Sequence, residues 1–113
     1  MNKRGIGNKG EAIAASFLEN NGIIILERNY RNRFGEIDII AIEGNVLLFI
    51  EVKYRKDESF GYPLESVGYF KQQKIRKLAR YYLNEKHYFM HSIRFDCIGI
   101  MGEKIDWIKG AFY

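Results

Sequence analysis

Two apolar segments of this chain carry acidic residues where a sheet would ordinarily bury hydrocarbon. Gly35-Glu36-Ile37-Asp38-Ile39-Ile40-Ala41-Ile42-Glu43 leads through Gly44-Asn45 into Val46-Leu47-Leu48-Phe49-Ile50-Glu51-Val52-Lys53. Both segments are short and rich in Ile, Val, Leu and Phe, which predicts strands. Gly44-Asn45 predicts a two-residue hairpin loop. With Glu43 paired to Val46, Asp38 falls opposite Glu51 and Glu36 opposite Lys53. The period of two puts these four on one face with Ile40, Ile42, Leu47 and Phe49. Opposed Cβ atoms lie about 4.5–5.5 Å apart, where like charges destabilise. Two facing carboxylates therefore ask for a cation. Hard oxygen ligands suit Mg²⁺, with Mn²⁺ as a substitute. Lys53 beside them could hold a negatively charged reacting group or orient an attacking water. The alternative is a set of cross-strand ion pairs, with Lys53 bridging Glu36 and Glu51. It leaves the added Asp38 unexplained.

The second segment is apolar on its other face as well, through Val46, Leu48, Ile50 and Val52, which predicts a central strand. Around it the element order reads helix, three strands, helix, then one or two strands. The first helix is expected over Asn8 to about Asn20, closed by Gly22. The first strand is expected over Ile23–Asn29, with a turn through Tyr30 to Gly35. A polar loop runs from Arg55 to Tyr62. Pro63 and Ser66 are candidate starts of a second helix ending near Asn84. Ser92–Ile100 alternates as a strand, and Met101-Gly102-Glu103 turns into a short last one, Lys104–Ile108. Strands and helices mixed in 113 residues suggest one α/β domain over 1–113, a central sheet flanked by helices.

The same chain contains one cysteine, Cys97, so it has no intrachain disulfide and no cysteine-rich zinc site. The N-terminus leads into no apolar stretch of signal type, and no apolar run approaches the ~18 residues of a membrane span. A soluble cytoplasmic protein without membrane contact is the expectation.

Glu11 has two compatible roles. It stands three residues after Asn8, the spacing of a capping box. It also leads the helical stripe Glu11, Ala14, Ala15, Leu18, from whose edge a carboxylate could reach a metal-bound water or a second ion. The run Gly5-Ile6-Gly7-Asn8-Lys9-Gly10 matches a dinucleotide fingerprint in spacing. It lacks room for the strand that must precede it, so these glycines are expected to form a flexible lead into the helix.

The net charge is +4, so the placement of basic residues matters more than their sum. Arg28, Arg31 and Arg33, interleaved with Asn29, Tyr30 and Asn32, make a basic, aromatic turn next to Asp38. On the second helix Val67, Lys71, Ile75, Leu78 and Tyr82 share a face, so Lys71 interrupts an apolar stripe. An inward lysine wants an anion, and Glu51, Glu11 or a substrate phosphate could supply it. Lys74, Lys77 and Arg80 are expected to face out. Arg28, Arg31, Arg33, Arg55, Lys71 and Lys74 are the candidate nucleic-acid contacts, acting on phosphate without reading sequence. His87 and His91 lack a matching acidic partner for zinc. Asp96 is expected to pair with Arg94. Trp107, Phe112 and Tyr113 are expected to pack or cap an edge, and a homodimer contact there is left open.

Asp38 followed by Glu51-Val52-Lys53 resembles the bipartite motif of the PD-(D/E)XK nuclease superfamily, with Ile37 in place of its proline. Gly10-Glu11, Asn29-Tyr30-Arg31, Gly35 to Ile40, Phe49 to Arg55, Pro63, Lys71 and Arg94-Phe95-Asp96 are similar in order to the YraN-type bacterial family within it. The resemblance covers nearly the whole chain. It implies a three-layer, restriction-endonuclease-like α/β fold with a mixed central sheet. It implies that Asp38, Glu51 and the Val52 carbonyl hold Mg²⁺, and that Lys53 positions the nucleophilic water. Glu11 would match the helix-borne glutamate of Holliday-junction-resolvase-like members.

The expected function is Mg²⁺-dependent hydrolysis of phosphodiesters in DNA, branched DNA included. The alternative is a nucleic-acid-binding module that keeps the nuclease fold without catalysis.

Overall fold

A computed structural model describes residues 3–55, 68–87 and 92–112, with residues 3–8 and 55 described by their backbone alone. The chain runs α1 (Lys3–Asn20), β1 (Ile24–Asn32), β2 (Gly35–Glu43), β3 (Val46–Arg55), α2 (Tyr69–Lys86), β4 (Ser92–Met101) and β5 (Lys104–Phe112). The expectations for Pro63, Ser66, Val67, His91 and Tyr113, and for the Arg55 side chain, fall outside the described residues.

The five strands form one sheet in chain order, β1-β2-β3-β4-β5. Three neighbouring pairs are antiparallel, and β3 pairs parallel with β4. The parallel pair needs a crossover, and α2 supplies it. β3 is thus the middle strand, as its two apolar faces predict. On one face Ile39, Ala41, Leu48, Ile50, Ile98 and Ile100 pack under Ala14, Ala15 and Leu18 of α1. On the other Ile40, Leu47, Phe49 and Phe95 pack under Ile75, Leu78, Ala79 and Tyr82 of α2. The result is the expected three-layer α/β architecture with a mixed sheet.

Local chemistry sets the joints. α1 closes with Gly22 at φ 80°, Ile23 N–H donating to Leu18 O at 3.0 Å and Gly22 N–H to Glu19 O at 3.0 Å. That pair of bonds is a Schellman motif, and Ile23 and Leu18 meet in the core as the motif requires. Gly44 and Gly102 each take φ 59° as the first of two turn residues, the geometry of tight hairpins. Glu43 pairs with Val46, the register that the Gly44-Asn45 loop predicts.

Several boundaries differ from expectation, four of them with consequences for the site or the sheet. The helix starts at Lys3 rather than Asn8. Gly5 and Gly7 lie inside it and weaken it without removing a hydrogen bond, unlike proline. Asn8 is therefore no cap, the capping-box role of Glu11 falls away, and the glycines form neither a flexible lead nor a phosphate loop. Strand β1 continues through Tyr30, Arg31 and Asn32, because cross-strand pairing to Ile37, Glu36 and Gly35 outweighs the turn character of the asparagines. Strand β3 reaches Arg55, where a loop was expected, because its parallel ladder with β4 runs on to Met101. Strand β5 reaches Phe112, carried past Ile108 by a bulge at Gly110.

Candidate metal and nucleic-acid site

The ladder between β2 and β3 ends at Ile39 and Ile50. Asp38 and Glu51 come next and make no backbone pair. Instead Asp38 Oδ2 accepts the Val52 N–H at 2.7 Å. In an extended residue the C=O points to the same side as the N–H, so the Val52 carbonyl faces this gap too. On the other flank, Asn29 stands in the left-handed region at φ 56°, and the β1–β2 register skips the Asn29–Asp38 step. The side-chain alternation of β2 slips here as well. Ile37 and Ile40 both pack on the α2 side, although they stand an odd three positions apart. Asp38 is thereby released from the regular pleat and turned into the opening between strands.

α1 brings the next carboxylate. Gly10 lies against Tyr54 of β3 so closely that an added Cβ would stand 2.9 Å from the Tyr54 Cβ. This contact seats the following residue, Glu11, in the interior, where it is 7% exposed. Asp38 and Asn29 lie close enough to Glu11 to bear on its carboxyl. Glu11, Glu36 and Asp38 each place a carboxylate oxygen within 4.8 Å of the other two. Glu11 Oε2 is buried without a hydrogen-bond partner among the described residues. Burial raises the Glu11 pKa, opposed by the neighbouring Asp38 and Asn29 and reinforced by Glu36.

Glu51 is buried on the α2 side and forms an ion pair with Lys71. Of the three anions expected for Lys71, Glu51 is the one it meets. Burial would lower the Lys71 pKa, but the hydrogen bond to Glu51 and the charges of Glu51 and Asp38 together outweigh it, and the pKa rises. Burial pushes the Asp38 carboxyl up to about 7, opposed by the Val52 N–H and aided by Glu11. Burial and the nearby Asp38 push Glu51 up to about 7, against Lys71 and Lys53. An open cleft of about 320 Å³ joins Glu36, Asp38 and Glu51 to Lys71, Lys74, Gly35 and Ile75. Lys74 is exposed, as expected, and also lines this cleft.

The other expected residues spread around it. Lys53 follows Glu51 by two on β3, close enough to bear on Glu51 and Cys97. Burial holds the Cys97 thiol up at about 11, which removes it as a nucleophile near neutral pH. Arg28 is exposed and bears on Glu11. Arg31 Nη2 pairs with Glu36 at 3.4 Å, so Glu36 meets an arginine from its neighbour strand. The Arg33 guanidinium lies 4.9 Å above the Phe34 ring. Asp96 is fully buried and accepts bonds from Arg94, Trp107 Nε1 and Gly110 N–H at 2.8–2.9 Å. It closes the β4–β5 bulge, which makes it a structural residue. Sequence reasoning missed Asn29 as a partner of Glu11; its place in a strand with positive φ is invisible without the fold.

The family model described as "Uncharacterised protein family UPF0102" matches residues 10–100. A UPF0102 protein of Fusobacterium nucleatum is 51% identical over 113 residues, covering 100% of this chain and 95% of the relative. One from Dictyoglomus turgidum is 46% identical over 111 residues, covering 95% and 94%. One from Thermodesulfovibrio yellowstonii is 48% identical over 110 residues, covering 96% of each. These matches span every element that builds the cleft, and the chain belongs to the UPF0102 family, the YraN-type family its motifs resemble.

Proposed function

We propose that this protein is a metal-dependent phosphodiesterase that cuts nucleic-acid strands, DNA foremost. One observation carries the proposal. Three carboxylates, Glu36, Asp38 and Glu51, line an open cleft whose other wall is Lys71 and Lys74, and Glu11 clusters with the first two of them.

The donors suit Mg²⁺ or Mn²⁺. All are hard oxygens, one of them is a buried oxygen with no partner among the described residues, and burial raises the pKa values of Glu11, Asp38 and Glu51. Asp38, Glu11 and Glu36 would hold such an ion, with Glu51 and the Val52 carbonyl at hand from β3. A bound divalent ion supplies polarisation of a phosphoryl oxygen and a more acidic water. The remaining work falls to the chain. Lys71 and Lys74 attract the phosphate, and Lys71 exchanges Glu51 for it. Glu51, with a pKa near 7, can take a proton from the attacking water while the phosphorus–oxygen bond to the leaving strand breaks. Lys53 offsets charge developing beside Glu51. Val52 N–H fixes the orientation of Asp38.

The test is a panel of labelled single-stranded, duplex, flapped and four-way DNAs incubated with Mg²⁺ or Mn²⁺. Cleavage by the wild type and none by Glu51→Gln or Asp38→Asn is expected. Retained DNA binding without cleavage of any substrate would leave the non-catalytic binding module in its place. A cytoplasmic setting belongs to the same proposal; no helix among the described residues is long and apolar enough to cross a membrane.

A further inference from the structure

The outward face of α2 carries a pattern of which the acidic cleft uses only Lys74. Tyr69 and Phe70 open the helix with 66% and 81% of their surface exposed. Single exposed apolar residues need no explanation. These belong to a series. Phe70, Lys74, Lys77 and Tyr81 follow one another at spacings of four, three and four, so they share one helical face. Tyr81 is also exposed. Lys77 Nζ stands 4.6 Å over the Phe34 ring, and Tyr81 meets that ring edge-on at 6.0 Å. Arg33 covers the same ring from its own turn. The tip of the β1–β2 hairpin therefore extends the stripe. Two lysines lie between two aromatic rings along about 16 Å of helix axis from Phe70 to Tyr81. Lys74, within that stripe, also lines the cleft beside Asp38 and Glu51.

Duplex DNA offers phosphates outside and hides its base faces. Aromatic planes gain nothing from it. An unpaired strand offers both, and proteins that hold one combine basic residues for the backbone with aromatic rings for the bases. We infer that the Phe70–Tyr81 stripe, with Phe34 and Arg33, is a track for an unpaired nucleic-acid strand. Phe70 and Tyr81 stack on bases, Tyr69 widens the platform at the entry, and Lys74, Lys77 and Arg33 neutralise phosphates. Lys74 hands the strand to the acidic cleft. The inference rests on the nucleic-acid role proposed for that cleft and narrows its substrate to strands with unpaired segments, such as tails, flaps and branch points.

Binding can be measured apart from chemistry, by fluorescence anisotropy in EDTA. The probes are an oligodeoxyuridine, an oligouridine and a blunt duplex of equal length. The single strands should bind more tightly than the duplex, and the tighter of the two names the sugar. Phe70→Ala with Tyr81→Ala should weaken single-strand binding roughly tenfold or more and leave duplex binding unchanged. Phe70→Trp should preserve it. Circular dichroism checks that the variants fold, as exposed positions should allow. Equal affinity for single strand and duplex would overturn the track, as would an unaltered single-strand affinity in the double variant. A change in self-association with unaltered single-strand binding would overturn it too and make the stripe a contact between copies. Tight single-strand binding by a wild type that cuts nothing supports the track and counts against hydrolysis alone.

Discussion

Asp38 takes the place of a missing sheet bond: its Oδ2 accepts the Val52 N–H at 2.7 Å, just beyond the last β2–β3 pair at Ile39 and Ile50. The acid that faces the cleft is thus also the acceptor that keeps β3 satisfied where β2 turns away. Charge and acceptor capacity can be separated by substitution. Asparagine keeps the acceptor and removes the charge, whereas alanine removes both.

Asp38→Asn should therefore be at least as stable as the wild type in EDTA above pH 7, because repulsion with Glu11 and Glu51 is relieved. Asp38→Ala should lose about 1–3 kcal/mol, the cost of an unpaired buried N–H. Both should lose the rise in Tm that Mg²⁺ or Mn²⁺ gives the wild type. Denaturant unfolding and thermal scans with and without metal report all three.

Stability without metal should fall as pH rises. Asp38 and Glu51 titrate near 7 in the folded protein, above their ordinary values of 3.8 and 4.5. Between about pH 4 and 7 the folded state holds more protons than the unfolded one, so raising pH favours unfolding. The stabilising contribution is complete below about pH 4 and is gone once pH passes 7. Urea midpoints in EDTA should drop between pH 5 and pH 8 by the equivalent of about 1–3 kcal/mol. Asp38→Asn should flatten that slope, and a rising midpoint would contradict the burial of these acids.

Lys71→Met should expose the cost of burying Glu51. Its half-exposed ammonium is the partner of a carboxylate that is 6% exposed as a residue. Loss of the cation should destabilise by about 1–2 kcal/mol at pH 8, a value discounted for solvent at Lys71. The loss should shrink at pH 5.5, where Glu51 is protonated. Pairing Lys71→Met with Glu51→Gln should recover most of it, which a double-mutant cycle measures.

Gly10→Ala should be destabilising although alanine favours helices by about 1 kcal/mol. The new Cβ would press on the Tyr54 Cβ, backbone-proximal atoms that cannot swing aside. A net loss of about 1–2 kcal/mol is expected from overpacking. α1 must lift to relieve it and would carry Glu11 away from Asp38. Metal affinity, read by calorimetry, should fall with it. Unchanged stability and affinity would show that α1 is not held in place at this contact.

Much of this architecture is legible in the linear chain, because it follows from neighbours. Alternation set the faces of β3, apolar residues on both faces made it central, and Gly44-Asn45 fixed the Glu43–Val46 register. The spacing of Glu11 with Ala14, Ala15 and Leu18 aimed a carboxylate inward. The placing of Lys71 on the buried stripe of α2 implied an anion beneath it. Packing between distant segments decided the rest. Register alone puts Asp38 directly opposite Glu51, yet the strands part there. Asp38 gathers with Glu11 and Glu36, and Glu51 turns to Lys71. That outcome depends on how closely Gly10 lets α1 approach Tyr54, on Asn29 adopting φ 56°, and on the crossover that lays α2 over Glu51. Periodicity is a property of a few bonds, whereas the company a buried charge keeps depends on every layer packed around it.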